Sequence, residues 1–117
     1  MISLLKPIIV KIFSNLRLER VKERVKKNFE YAVKDDEIIL DVIFGFDEKS
    51  QVVVVLTNNH LYVVGDILIH KIRRDHIEQI NETKGLFARL IEVKTKDKAE
   101  YFKVYSKRGV KSLKEWL

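Results

Sequence analysis

The chain has 117 residues, a net charge of +6 and no cysteine. This length is typical of one domain that is large enough to bury a core of its own. With 46% hydrophobic residues, 34% charged residues, four glycines and one proline, the composition excludes a disordered, collagen-like or low-complexity chain. The lack of cysteine excludes a disulfide framework, a thiolate nucleophile and a cysteine-based zinc site.

The positive charge is concentrated near the N-terminal end of the sequence. Residues 1–34 contain nine basic and three acidic residues, whereas residues 35–117 contain fourteen of each. We therefore divide the chain into a basic N-terminal arm, 1–34, and a neutral body, 35–117. An anionic partner would be attracted to the arm, with salt screening the attraction beyond about 8 Å at physiological ionic strength.

The arm has the pattern of an amphipathic helix. After Pro7 and up to residue 33 it contains neither glycine nor proline, and its apolar residues recur every three or four positions. Pro7 suits the first turn of a helix, where its missing N–H has no partner to lose. The apolar stripe is interrupted at residues 14–15, so two helices, near 7–16 and 16–33, are predicted as readily as one.

The body has the pattern of short β-strands. Alternation along residues 37–46 predicts a strand with one apolar face, made of Ile38, Leu40, Val42, Phe44 and Phe46. The β-branched run at 51–56 predicts a second strand, and Asn58-Asn59 predicts a tight turn after it. The remaining strands are predicted at 61–64, 67–72, 77–80, 86–95 and 99–105.

The sequence closes on a short amphipathic helix, predicted at 107–117 with Ser106 as its N-cap. Val110, Leu113 and Leu117 are spaced to share one face of that helix. The predicted fold class is therefore mainly β, with α+β character overall. We expect a bent antiparallel sandwich or open barrel of about seven strands, capped by the C-terminal helix and preceded by the N-terminal amphipathic helix.

Residues 36–117 resemble the bacterial pleckstrin-homology-like (PH/GRAM-like) domains. The resemblance lies in the hairpin at 55–64, where Leu56-Thr57-Asn58 forms the turn and Leu61 starts an apolar run, and in the spaced isoleucines of 72–80. His60 departs from the pattern, since a lysine or arginine is common there. The resemblance implies a seven-stranded bent sandwich closed by the C-terminal helix. It implies no generally shared ligand, and it implies a tendency to self-associate.

No motif of a catalytic or metal site is present. The sequence has no Gly-x-Ser-x-Gly element and no glycine-rich phosphate loop. The acidic cluster at 35–37 is interpreted as a solvated turn, and the three histidines, His60, His70 and His76, have no spacing typical of zinc ligands. We expect a protein that is not an enzyme and that uses neither a cofactor nor a metal ion.

The arm supplies most of the candidate binding residues. An amphipathic helix with basic residues can lie on an anionic membrane, but such a face more often packs against its own domain or a second copy. We expect a homo-oligomer and leave a protein partner and an anionic membrane surface as alternatives. The candidate partner- or lipid-binding residues are Lys11, Arg17, Arg20, Arg24, Lys27, Arg73 and Arg74. The candidate interface residues are Ile9, Ile12, Phe13 and Leu16.

Three further expectations concern partners and location. Nucleic-acid binding by the arm is less favoured, because glutamates are interleaved with its basic residues, although Tyr101-Lys103-Tyr105 is a small aromatic platform in the body. Residues 51–56 would offer a second pairing site if they formed an edge strand. Because Lys6 and Lys11 interrupt the apolar start, we expect no signal peptide or membrane span. The expected location is the cytoplasm, at most peripheral to the inner face of the membrane.

Overall fold

The computed structural model describes residues 19–33, 37–47, 50–65 and 69–117. It is mainly β, as predicted: seven strands form one antiparallel sheet in the order β4-β3-β2-β1-β7-β6-β5. The elements in chain order are α1 Glu19–Ala32, β1 Ile39–Asp47, β2 Ser50–Thr57, β3 His60–Val64, β4 Ile69–Arg73, a 3₁₀ turn Arg74–His76, β5 Ile77–Lys84, β6 Arg89–Thr95, β7 Ala99–Val104 and α2 Lys107–Trp116.

The sheet has two halves, β1–β4 and β5–β7, which meet at a short seam between β1 and β7. Only Gly45 with Val104 and Phe46 with Lys103 are paired there. A Cβ atom on Gly45 would lie 2.2 Å from the Lys103 carbonyl oxygen, far inside van der Waals contact. Glycine therefore permits the close backbone approach that joins the halves.

The inner faces of both halves contribute to one hydrophobic core, so the sheet is bent around it. Each of the seven strands supplies at least one apolar side chain to this core, and β5 supplies Ile77 and Ile80. Helix α2 adds Val110, Leu113 and Trp116. Ser106 caps this helix as predicted, because its Oγ accepts a hydrogen bond of 3.2 Å from the Gly109 N–H. Leu117 is about half exposed, and Trp116 occupies the buried position instead.

Helix α1 covers the outer face of the first half. Its residues Phe29 and Ala32, with Val33 directly after the helix, pack in a second core against the outward side chains of β2 and β3, namely Val53, Val55, Tyr62 and Val64. Strand β2 is consequently buried on both faces, which explains its unbroken apolar run. The condition for a second pairing site at 51–56 is not met, since β2 lies between β1 and β3 and the edge strands are β4 and β5.

The outer face of the second half is exposed among the described residues. Along β6 and β7, the inward residues Ile91, Val93, Phe102 and Val104 are buried, and their neighbours in sequence face outward. This period-two alternation is typical of a sheet with one solvated face. The second half is therefore the part of the sheet with an accessible face.

Two strand predictions need correction. A β-bulge between Ile39 and Asp41 shifts the register of β1. Ile38 and Leu40 are consequently exposed, while Ile39, Val42 and Phe44 pack beside the second core.

The second correction is in the β5–β6 hairpin. Strand β5 extends to Lys84, well beyond the predicted 77–80, and β6 begins at Arg89, three residues after the predicted start at 86. Residues 86–88 form the turn between the two strands. No helix among the described residues is long and apolar enough to cross a membrane.

Candidate functional site

The tip of the β5–β6 hairpin presents two apolar side chains to solvent. Leu86 is 95% exposed and Phe87 is 91% exposed, the highest values among the large apolar residues that the structure describes. The Gly85 N–H donates a hydrogen bond of 3.0 Å to the Ala88 carbonyl, which closes the turn. A Cβ atom on Gly85 would lie 2.7 Å from that carbonyl oxygen, so the turn favours glycine at this position. The tip is therefore a defined apolar projection.

A basic groove lies beside the turn end of this hairpin, between β5, β6 and α2. Its volume is about 500 Å³. Helix α2 contributes Lys107, Lys111 and Lys114, which share one side of the helix because they are spaced at four and three residues. The hairpin contributes Lys84 and Arg89. We call these five cationic residues, together with Glu82 and Glu115, the basic groove.

The carboxylates of the basic groove neutralise only part of its charge. The Glu82 side chain bridges the two elements, with Oε2 2.9 Å from Arg89 Nε and Oε1 3.4 Å from Lys114 Nζ. Glu115 lies 3.8 Å from Lys111. No ion pair joins Lys84 or Lys107 to a carboxylate in the described part of the chain. The lining carries three more positive than negative charges, directly behind an exposed apolar tip.

Arg73 and Arg74, both predicted as binding residues, lie in a different groove of about 680 Å³ beside the β2–β3 turn. Arg73 donates to both carboxylate oxygens of Asp75, at 3.1 and 2.8 Å. Arg74 donates to the carbonyls of Asn58 and Trp116, and its guanidinium lies 4.9 Å from the centre of the Trp116 ring. Arg74 therefore connects α2 to the β2–β3 turn, whereas Arg73 forms an exposed ion pair with Asp75 in the adjoining 3₁₀ turn.

His60 also lines that second groove and belongs to a buried polar cluster. Its Nδ1 lies 2.8 Å from Glu37 Oε1, and the Tyr62 hydroxyl donates to the same oxygen at 2.6 Å. Glu37 is only 7% exposed. The interpretation of the acidic cluster as a solvated turn is therefore wrong for Glu37, whose carboxylate fastens the start of β1 to β3. The other two residues of that cluster lie outside the described residues.

Among the arm residues that the structure describes, none lines either groove. Arg24 and Lys27 are exposed on α1, and Arg20 lies in the same helix. The lining of neither groove includes a residue of α1. The remaining predicted arm residues lie outside the described residues: Lys11 and Arg17 of the binding set, and Ile9, Ile12, Phe13 and Leu16 of the interface set.

Sequence analysis missed the tip and the basic groove for two reasons. Leu86 was assigned to a predicted strand at 86–95 that starts only at Arg89, so no exposed turn was predicted at this residue. The equal numbers of acidic and basic residues in 35–117 concealed a local excess, because residues 84 and 107 come together only in the folded sheet. The segment 84–89, Lys-Gly-Leu-Phe-Ala-Arg, carries the missed signal: an apolar pair after a glycine, with a cation on each side.

A third polar feature lies on the exposed face of the second half. Glu92 Oε2 accepts a hydrogen bond of 2.6 Å from the Tyr101 hydroxyl, and Glu92 Oε1 accepts one of 2.9 Å from Asn81 Nδ2. The bond from Tyr101, followed by that from Asn81, lowers the pKa of Glu92. The same bond raises the pKa of Tyr101, because ionising the hydroxyl would set two negative charges side by side.

No known protein supplies a function for these features. No protein-family model matches the chain, and neither a curated protein nor a solved structure is significantly similar to it. Within residues 19–33, 37–47, 50–65 and 69–117, no three His, Asp or Glu side chains are grouped as metal ligands. The function is therefore inferred from the geometry of the tip, the grooves and the exposed sheet face.

Proposed function

We propose that the protein is a non-enzymatic module of the PH-like class that binds the surface of an anionic membrane. Leu86 and Phe87 enter the boundary between headgroups and acyl chains, and the basic groove lies against the anionic headgroups. The observation that supports this proposal is the juxtaposition of two almost fully exposed apolar side chains with a groove in which cations outnumber carboxylates.

Both parts of the site are needed for stable binding. Burying a leucine or phenylalanine side chain completely contributes about 1.5–3 kcal/mol, and partial insertion contributes less. Each lysine or arginine near an anionic surface contributes about 1 kcal/mol. Membrane binding is reversible when it depends on apolar insertion or on charge alone, and it becomes stable when the two contributions act together. The tip supplies the apolar contribution and the basic groove supplies the electrostatic one.

The PH-like class and the location complete the proposal. An antiparallel seven-stranded sheet with a C-terminal helix agrees with the fold that the resemblance at 36–117 implies. Anionic lipids give the cytoplasmic leaflet a negative surface potential that attracts basic patches. We therefore assign the protein to the cytoplasmic face of a membrane, where it is peripheral.

Vesicle co-sedimentation tests the apolar part of the site. The full chain is mixed with vesicles rich in phosphatidylglycerol and with neutral phosphatidylcholine vesicles. We expect binding to the anionic vesicles only, and at least about ten-fold weaker binding by the Leu86→Ser/Phe87→Ser variant. The matched control is Ile38→Ser/Leu40→Ser, which removes two exposed apolar residues from β1 and its start. Equal losses from both variants would contradict an inserted tip.

A charge-reversal pair tests the groove against the arm. Lys84→Glu/Lys107→Glu and Arg20→Glu/Arg24→Glu change the net charge of the chain equally, in the groove and in α1 respectively. We expect the groove variant to lose binding to anionic vesicles and the arm variant to retain most of it. The opposite order would move the membrane contact to the arm, and equal losses would show that only the total charge matters.

Self-association through the arm is a separate prediction. Phe29, Ala32 and Val33 belong to the second core, so a chain starting at residue 34 would lose the cover of its own sheet as well as the arm. Substitution is the cleaner test. The Ile9→Ser/Phe13→Ser variant is expected to have a lower mass in analytical ultracentrifugation than the unsubstituted chain, and an unchanged mass would contradict an interface at these residues.

A further inference from the structure

The exposed face of the second half carries a row of aromatic and cationic side chains. Tyr101 and Lys103 project outward from β7, and Tyr105 follows directly after this strand. The two tyrosines are 52% and 51% exposed. The Phe46 ring, at the end of β1, lies 5.1 Å from the Tyr105 ring and 5.5 Å from Lys103 Nζ. The seam between the two halves thus brings a fourth residue to the row. We call Phe46, Tyr101, Lys103 and Tyr105 the aromatic row.

The rings of the aromatic row are held in place by neighbouring strands. The Tyr101 hydroxyl is fixed by its hydrogen bond of 2.6 Å to Glu92 on β6, and Glu92 is held by Asn81 on β5. Tyr105 is supported by the contact with Phe46. A ring that is both exposed and fixed loses little conformational entropy when a flat ligand stacks on it.

We propose that this face binds single-stranded nucleic acid, with bases stacked on Tyr101 and Tyr105 and a phosphate held by Lys103. Sequence-tolerant binding of single strands combines aromatic platforms with a cationic path along the backbone. Residues two apart on one face of a strand are separated by roughly 6.6–6.8 Å, so Lys103 lies between two stacking positions that are about twice that distance apart.

The charges around the row favour a polyanion. Lys94 is exposed on β6, and Arg108 is exposed in the first turn of α2, three residues after Tyr105. Glu92 is the carboxylate of the row, and its two oxygens already accept hydrogen bonds from Tyr101 and Asn81. A double helix hides the faces of its bases, so stacking on this row requires an unpaired strand. This inference does not depend on membrane binding by the hairpin tip.

Fluorescence anisotropy with the full chain and labelled twelve-nucleotide oligo(dT), oligo(rU) and a duplex of equal length tests the proposal. We expect binding to the single strands over the duplex. Tyr101→Ala/Tyr105→Ala is expected to weaken it at least about 30-fold, because each of the two lost stacking positions weakens binding at least about 5-fold at such platforms. Tyr101→Phe keeps the ring and is expected to retain binding. Tyr31→Ala, which removes an even more exposed ring from α1, is the control.

The salt dependence tests the phosphate contact. For single strands the logarithm of the affinity falls against the logarithm of salt concentration with a slope of about −0.7 for each phosphate neutralised. Lys103→Glu is expected to reduce the size of that slope by about this amount and to weaken binding. Circular dichroism confirms that each variant is folded.

Three results would overturn the proposal. They are no anisotropy change for any single strand at low salt, equal losses from Tyr31→Ala and Tyr101→Ala/Tyr105→Ala, and an unchanged salt slope in Lys103→Glu. The Tyr101→Ala/Tyr105→Ala variant is also tested on anionic vesicles, where we expect unchanged binding because neither tyrosine lines the basic groove. Failure of the nucleic-acid proposal and failure of the membrane proposal are then distinguishable.

Discussion

The two halves of the sheet use the same strand geometry for different purposes. In β1–β4 the inner face lines the main core and the outer face lies under α1, so β2 and β3 have almost no accessible side chains. In β5–β7 only the inner face is buried. The apolar tip, much of the basic groove and most of the aromatic row belong to this second half. A covering helix on one half leaves the other half as the accessible surface of the sheet.

The sequences of the strands reflect this difference in burial between the two halves. Residues 52–56 of β2 are apolar without interruption, as expected for a strand buried on both faces. In β7, Tyr101 and Lys103 alternate with the buried Phe102 and Val104, as expected for a strand with one solvent-exposed face. We infer that substitutions on the outer face of the first half act on stability, whereas those on the outer face of the second half act on binding.

The largest expected effect comes from placing one charge on the outer face of each half. Val55→Asp introduces a carboxylate under α1, where Val55 is fully buried, and is expected to cost more than about 4 kcal/mol or to prevent folding. Thr83→Asp places the same group on the exposed face of β5 and is expected to change stability by less than about 0.5 kcal/mol. Urea unfolding followed by Trp116 fluorescence measures both, and similar losses would contradict the difference between the halves.

Truncating the most buried side chain of α1 is expected to have the next largest effect on stability. Phe29 is 1% exposed in the second core, so Phe29→Ala is expected to lower the free energy of unfolding by about 3–5 kcal/mol. Tyr31→Ala, two residues further on, removes a largely exposed ring and serves as the control. Calorimetric or urea unfolding compares the two variants. A small loss for Phe29→Ala would mean that α1 contributes little to the cover of the first half.

The seam between the halves is sensitive to one methyl group. The Cβ of Gly45→Ala would collide with the Lys103 carbonyl, so the two strands must separate, at an expected cost of about 1–3 kcal/mol. Asp47→Ala, at the end of the same strand, is the control and is expected to be near neutral. Urea unfolding measures the difference. If Gly45→Ala were neutral as well, the halves would not depend on this close approach.

The smallest expected effect is electrostatic and lies on the exposed face. Carboxyl-resolved NMR titration is expected to give Glu92 a pKa below its usual value, and Tyr101→Phe is expected to raise that pKa because the principal hydrogen bond is lost. Since the pKa is lower in the folded chain than in the unfolded one, the contribution to stability is present above the unfolded pKa. It is lost as the pH falls through the folded pKa. An unchanged Glu92 pKa in Tyr101→Phe would contradict this assignment.

Local patterns predicted most of the elements. The turn at Asn58-Asn59, the capped helix after Ser106 and the succession of seven strands along the chain depend on residues close together in sequence, where side-chain periodicity and turn preferences act directly. The β1 bulge escaped prediction because one extra residue shifts which side chains are exposed, while the alternation of residue types along the sequence stays the same. The full length of β5 escaped because residues 81–84 are polar on both faces of the strand, which leaves no alternation to detect.

By itself, the sequence determined that the chain is a basic, cysteine-free, mainly β protein with a helix at each side of its strands. Only the tertiary structure decided which strand is internal, which face α1 covers, and that Lys84 meets Lys107 beside an exposed Leu86 and Phe87. The physical reason is the separation along the chain of the residues that each feature depends on. Periodicity reports the environment of neighbouring residues, whereas a groove or an uncovered face arises from pairing between strands and helices that are distant in the chain.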